Sequence, residues 1–135
     1  MLIALCVWLF SLGSSHAVTD RWAALAMVES GCNDRVIGRA GEVSRYQIKP
    51  AVWRAAQPAW DDPLNPWAAL RVAQSIMRER SAAFEQRFHR APNNFEFYVL
   101  WNAPAQLIGT RRNAAVTKTV AARAQRYSNL VGEQP

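Results

Sequence analysis

The sequence predicts a mainly α domain of five or six helices packed around one core. Three observations carry that expectation. Apolar residues in the long segments recur at three- and four-residue intervals rather than alternately. Asp, Asn and Pro stand at the heads of these segments and Gly at the tail of the first, as helix starts and stops require. The chain has 135 residues, and the part beyond its apolar N-terminal run has the size of one compact domain.

That run, LIALCVWLFSL at residues 2 to 12, carries no charge. It is shorter than the about 20 apolar residues a membrane-spanning helix needs. Ser15-His16-Ala17 fits a small-x-small cleavage site, so residues 1–17 are expected to be a signal peptide and 18–135 the working domain. The alternative is a buried core helix. Export places the protein in the periplasm or outside the cell. Cys6 would leave with the signal, and Cys32 would then have no intrachain partner, which excludes a disulfide framework. A packed thiol fits Cys32 better than a nucleophile, because His89 would be the one histidine left to activate it.

Thr19 or Asp20 is placed to cap a first helix that runs to about Ser30 and stops at Gly31 and Asn33. Residues 31 to 46 hold three glycines and no helical period, and read as a loop or a short hairpin. Pro50 opens a short helix, PAVWRAAQ, and residues 58 to 65 form a Pro-rich connection. Asn65 and Pro66 make a cap and first-turn pair for a long helix reaching about Arg90. Its expected apolar face is Trp67, Leu70, Gln74, Met77, Phe84 and Phe88, with Arg80 among the charges outside it. Asn93 or Asn94 opens a further helix through FEFYVLW. Val116, Val120, Ala124, Tyr127 and Val131 mark a last amphipathic one. Of the six tryptophans, Trp22, Trp53 and Trp67 lie on apolar stripes and are expected in the core, whereas Trp60 sits in the polar PAWDDP loop.

A formal net charge of +6 draws the chain toward polyanions such as nucleic acid, anionic lipid or cell-wall polymer. The basic residues are scattered, with no run longer than Arg111-Arg112, which argues against nucleic acid. His89 has no second ligand at metal spacing, and Gly38 to Gly41 does not follow a strand in a βαβ unit, so no metal and no cofactor is expected.

Glu29 is the informative residue. Trp22, Ala26 and Glu29 stand at i, i+4 and i+7, so a carboxyl lies on the stripe that should face the core. Burial and the carbonyl end of the helix both disfavour its ionised form. An acid kept protonated near neutrality can give a proton to a leaving group. The competing reading is a glutamate that swings outward or pairs with Arg35, Arg39 or Arg45.

Glu29-Ser30-Gly31, the Gly38-Arg39-Ala40-Gly41 loop, Tyr46-Gln47-Ile48 and Trp101-Asn102-Ala103 occur in the order of the blocks of the lysozyme-like lytic transglycosylases, which the chain resembles. The resemblance implies a lysozyme-like single domain with an irregular loop or short hairpin after the catalytic helix. It implies cleavage of the β-1,4 bond between N-acetylmuramic acid and N-acetylglucosamine in peptidoglycan glycan strands. Glu29 would be acid and then base, giving a 1,6-anhydro product, with the substrate's N-acetyl group assisting. Ser30 would fix the Glu29 rotamer. Tyr46, Gln47, Trp101 and Asn102 would bind substrate, Tyr46 and Trp101 by stacking, Gln47 and Asn102 through their amides; holding the carboxyl of Glu29 is the other role open to Asn102, and core packing the other role open to Trp101. A monomer that neither inserts stably in a membrane nor binds nucleic acid is expected.

Two departures from the family pattern bear on chemistry. Glu42 and Arg45 stand before Gln47, where small or apolar residues are usual, and Pro104 replaces a glycine after Asn102-Ala103. Glu42 is a possible second carboxylate. Facing Glu29 it would orient water and turn the reaction to hydrolysis; otherwise it is a loop charge paired with Arg39 or Arg45. A non-catalytic wall-binding protein is the reading outside enzymes.

Overall fold

The computed structural model describes residues 20–56, 62–110 and 115–132. The expectations for the signal segment, Cys6, Trp60 and Arg111-Arg112 lie outside these residues. Among the described residues there are six helices: α1 (Arg21–Ser30), α2 (Pro50–Ala56), α3 (Pro66–Phe88), α4 (Asn94–Asn102), α5 (Ala105–Ile108) and α6 (Lys118–Val131). The mainly α expectation therefore holds. No helix among them is long and apolar enough to cross a membrane.

The caps form as the sequence dictates. The Asp20 carboxylate accepts from the Trp22 and Ala23 amides, and Gly31 ends α1 in the left-handed conformation at φ 65°. Asn65 accepts from the Trp67 and Ala68 amides ahead of Pro66. Asn93 and Glu96 form a reciprocal capping box at the head of α4. Arg90 grips Glu96 with two nitrogens at 2.7 and 2.6 Å, so the turn from α3 into α4 is tied on both sides.

The core is organised by α4. Five consecutive residues, Phe97 to Trp101, are buried, and a helix apolar all round belongs in the interior. It packs against α3, α5 and α6. Phe97 stacks on Tyr127 of α6 at 5.7 Å, and Tyr98 lies 5.6 Å from the same ring. Trp22 closes the α1 side with edge contacts to Phe97 and Tyr46.

The long helix buries Met77 and Phe84 of the expected face, but the rest of its buried stripe lies beside that face. Ala68, Ala69, Val72, Ala73, Ile76, Met77 and Phe84 are buried, while Trp67 is 71% exposed and Phe88 is exposed. Most of that buried stripe is alanine and small aliphatic residues, and the bulkier Trp67 lies outside it. Arg80 lies on that buried side, not among the solvated charges. Trp53 is buried and Trp22 partly so. The four-residue α5 has no apolar period and was not expected. Val116 precedes α6 instead of lying in it. The anticipated hairpin is reduced to one antiparallel bridge, Val43 with Ile48, around a turn at residues 44–47.

Tyr127 is fully buried and its hydroxyl has no partner among the described residues. A buried hydroxyl without a hydrogen bond is unfavourable by ~1–3 kcal/mol. Tyr127→Phe, which keeps the ring stack, is expected to raise unfolding free energy by about 1 kcal/mol. Urea denaturation of both proteins measures this; a clear loss of stability would show that the hydroxyl is bonded after all.

Candidate active site

Glu29 sits on the last turn of α1, beyond the buried run Ala24, Leu25, Ala26 and Val28. Its side chain is only 5% exposed, so it follows the apolar stripe inward. The Tyr98 hydroxyl of α4 donates to Glu29 Oε1 at 2.6 Å. Arg123 Nη2, from α6, stands 3.4 Å from Glu29 Oε2 and 3.4 Å from the Val28 carbonyl oxygen. None of the arginines expected as partners is the one found. Arg45 is engaged by Asp34 through two nitrogens at 2.6 and 2.7 Å, and each holds the other charged.

The carboxyl of Glu29 is held above the ordinary carboxylate range. Burial is the largest cause; the Tyr98 hydrogen bond and the Arg123 charge oppose it, and the charge of Glu42 adds to it. Burial and the neighbouring carboxylate likewise push the Tyr98 phenol far up, so it stays a donor.

Glu29 lines a cleft of about 350 Å³, together with Gly38, Arg39, Glu42, Gln47, Lys49, Arg80, Trp101, Asn102 and Arg123. A second cleft of about 400 Å³ shares Val52, Ile76 and Arg80 with the first. The sequence blocks at Glu29, Gly38–Gly41, Gln47 and Trp101-Asn102 therefore meet on one surface. The loop that brings them there is built from close contacts. A Cβ on Gly38 would meet the Glu42 carboxylate and stand 2.7 Å from Gln47 Oε1, so any larger residue would displace those two side chains from their places in the loop. Glu42 Oε2 accepts from the Ala40 amide at 3.0 Å, and Gln47 Nε2 donates to the Ser44 carbonyl at 3.0 Å. Arg45, one of the two partners expected for Glu42, is taken by Asp34, and Glu42 folds onto its own loop and faces the cleft that Glu29 lines.

Three expected roles change. Ser30 does not touch the Glu29 carboxyl; its Oγ lies 2.7 Å from the Arg45 carbonyl and 3.2 Å from that of Ala26, and accepts from the Asn33 amide. It ties the loop to the end of α1. Tyr46 is 3% exposed and wedged edge-on between Trp22 and Trp101, so its ring is a core element under the cleft and not a platform. Asn102 is exposed at the rim; the hydroxyl on Glu29 belongs to Tyr98. Trp101 is buried yet lines the cleft, with the Arg80 guanidinium 5.9 Å above its ring.

Tyr98, Arg80 and Arg123 join the site without having been expected there. Arg80 donates to the Leu100 and Trp101 carbonyls at 2.9 and 2.6 Å, satisfying the exposed end of α4. A sequence signal for two of the three existed. Arg80 lies three residues after Met77 and four before Phe84, and Arg123 three after Val120 and four before Tyr127, both on apolar stripes.

The electrostatics of Glu29 give two measurable outcomes. Because its folded pKa is raised, Glu29 contributes stability that is present below its ordinary value of 4.5 and lost as pH rises through the raised one. The stability of wild type relative to Glu29→Gln should therefore fall as pH increases from below 4.5 toward neutrality, read from melting temperatures across that range. Removing the Tyr98 donor takes away a stabiliser of the ionised form, so Tyr98→Phe should move the Glu29 titration further upward, read by carboxyl-carbon NMR. Comparison of the chain with protein-family models, curated proteins and solved structures finds no match.

Proposed function

We propose that the protein is a peptidoglycan-cleaving glycosidase, an exported, monomeric lytic transglycosylase of lysozyme-like architecture that acts on cell wall. The observation that carries the reading is the Glu29 carboxyl: 5% exposed, raised by burial, gripped by Tyr98 at 2.6 Å, and opening on a cleft. A protonated acid in that setting gives its proton to the glycosidic oxygen as the bond to the sugar C1 breaks. The substrate's N-acetyl oxygen stabilises C1 meanwhile. The carboxylate left on Glu29 then takes the proton of the sugar's C6 hydroxyl, and O6 closes on C1. No water is consumed, and Glu29 ends protonated.

Two adjoining clefts suit an extended polymer better than a compact ligand, and the basic lining suits an anionic one. Trp101 supplies an apolar wall, and the Gln47 and Asn102 amides offer polar contacts at its edge. A second reading rests on Glu42. It shares the cleft with Glu29 and its charge acts on that acid, which supports a reading in which it holds a water for hydrolysis.

Digestion of purified peptidoglycan tests both. Wild type should release anhydro fragments, each lighter by one water than the hydrolysed fragment, and Glu29→Gln should slow release by about 10²–10⁴-fold. Reducing-end fragments lost in Glu42→Gln would establish the hydrolytic reading. Undiminished wall clearing by Glu29→Gln would make the protein a wall binder or membrane disruptor instead.

A further inference from the structure

Four cations, Arg39, Lys49, Arg80 and Arg123, line the cleft against two acids, Glu29 and Glu42. They are not equivalent. Arg80 is committed to two backbone carbonyls and the Trp101 ring. Arg39 and Lys49 are exposed and supply attraction at a distance. Arg123 alone of the four contacts the acid. Its contact is long, 3.4 Å through one nitrogen, and its side chain is 40% exposed while that of Glu29 is 5% exposed.

We propose that Arg123 is a detachable counter-ion: a carboxylate borne by the glycan substrate draws it off Glu29, so that the acid is released for proton transfer only when an anionic sugar occupies the cleft. This rests on the glycosidase reading above. A guanidinium has five donors, and a long single-nitrogen contact uses little of that capacity. An incoming carboxylate accepting two shorter parallel hydrogen bonds offers Arg123 the stronger partner. The ligand class is a glycan with a lactyl or peptide carboxylate close to the scissile bond. Three groups face Glu29: Tyr98 from α4, Arg123 from α6 and Glu42 from the loop. Tyr98 stays bonded and Glu42 disfavours ionisation, so departure of Arg123 removes the one cation favouring the charged acid. Arg123 is thus a specificity and positioning residue, acting through Glu29.

The test compares soluble peptidoglycan strands with the same strands after their carboxyl groups are converted to amides. Wild type should cleave the anionic strands on the order of tenfold faster in kcat/KM, the size expected of one charge-assisted hydrogen bond. Arg123→Gln should lose that preference, and Arg123→Lys should restore part of it. The pH profile gives a second readout. In the free protein the Glu29 titration should lie higher in Arg123→Gln than in wild type, and anionic substrate should bring the two together. Wild type cleaving neither strand overturns the glycosidase reading and this inference with it. Equal cleavage of both strands by wild type, or a full preference kept by Arg123→Gln, overturns the inference alone.

Discussion

A single hydrogen bond between residues 69 positions apart, from the Tyr98 hydroxyl to the Glu29 carboxyl, sets the terms for the rest of the molecule. Each group is costly to bury alone. A hydroxyl in the buried run from Phe97 to Trp101 needs an acceptor, and a carboxyl on an apolar stripe needs a donor. Because each is the other's remedy, α1 and α4 have a preferred register and not merely a preferred distance. The aromatic layer of Trp22, Phe97, Tyr46 and Tyr127 then packs around that register.

The same logic extends to charge. Three helices each carry one charged residue on an apolar stripe: Glu29 on α1, Arg80 on α3 and Arg123 on α6. All three line one cleft. A charge in such a position weakens a helix's burial, so three that converge act as a marker of a site. Arg80 supports α4 through its terminal carbonyls, Arg123 tempers Glu29, and Glu29 carries the proton chemistry proposed for the cleft. The division of labour follows from exposure, which ranges from a nearly sealed carboxyl to a guanidinium half in water.

Much of the architecture was legible because caps and stops are local. Asp20, Gly31, Asn65 with Pro66, and Asn93 with Glu96 act on amides within a few residues, and each lies where the residue pattern calls for a helix end. Glu29 was legible for the same reason, since its stripe is a property of ten residues. The failures are tertiary. Trp67 has the size and spacing of a core residue, but the buried stripe of α3 runs through Ala68, Ala69, Val72 and Ala73 and leaves it outside. Ser30, adjacent to Glu29 in sequence, points instead to the backbone of Arg45, because the helix end and the returning loop need a tie there. Tyr46 matched a motif but closes the core below the cleft. The partner of Glu29 had to come from elsewhere in the chain. No spacing rule joins residue 29 to 98 or 123, although the run Phe97 to Trp101 already required that one hydroxyl find company.

An acid that must first give a proton and then recover one cannot be sealed too well. Burial alone would keep Glu29 neutral and make it a poor base in the second half of the proposed reaction. A strong ion pair would keep it charged and make it a poor acid in the first half. The site holds intermediate ground. Desolvation and Glu42 favour the proton, while Tyr98 and a loosely held Arg123 favour its loss. Tyr98 is fixed in the core, so the balance is adjustable through the partner that reaches solvent. Exposure thus decides which residue can regulate the acid and which can only hold it in place.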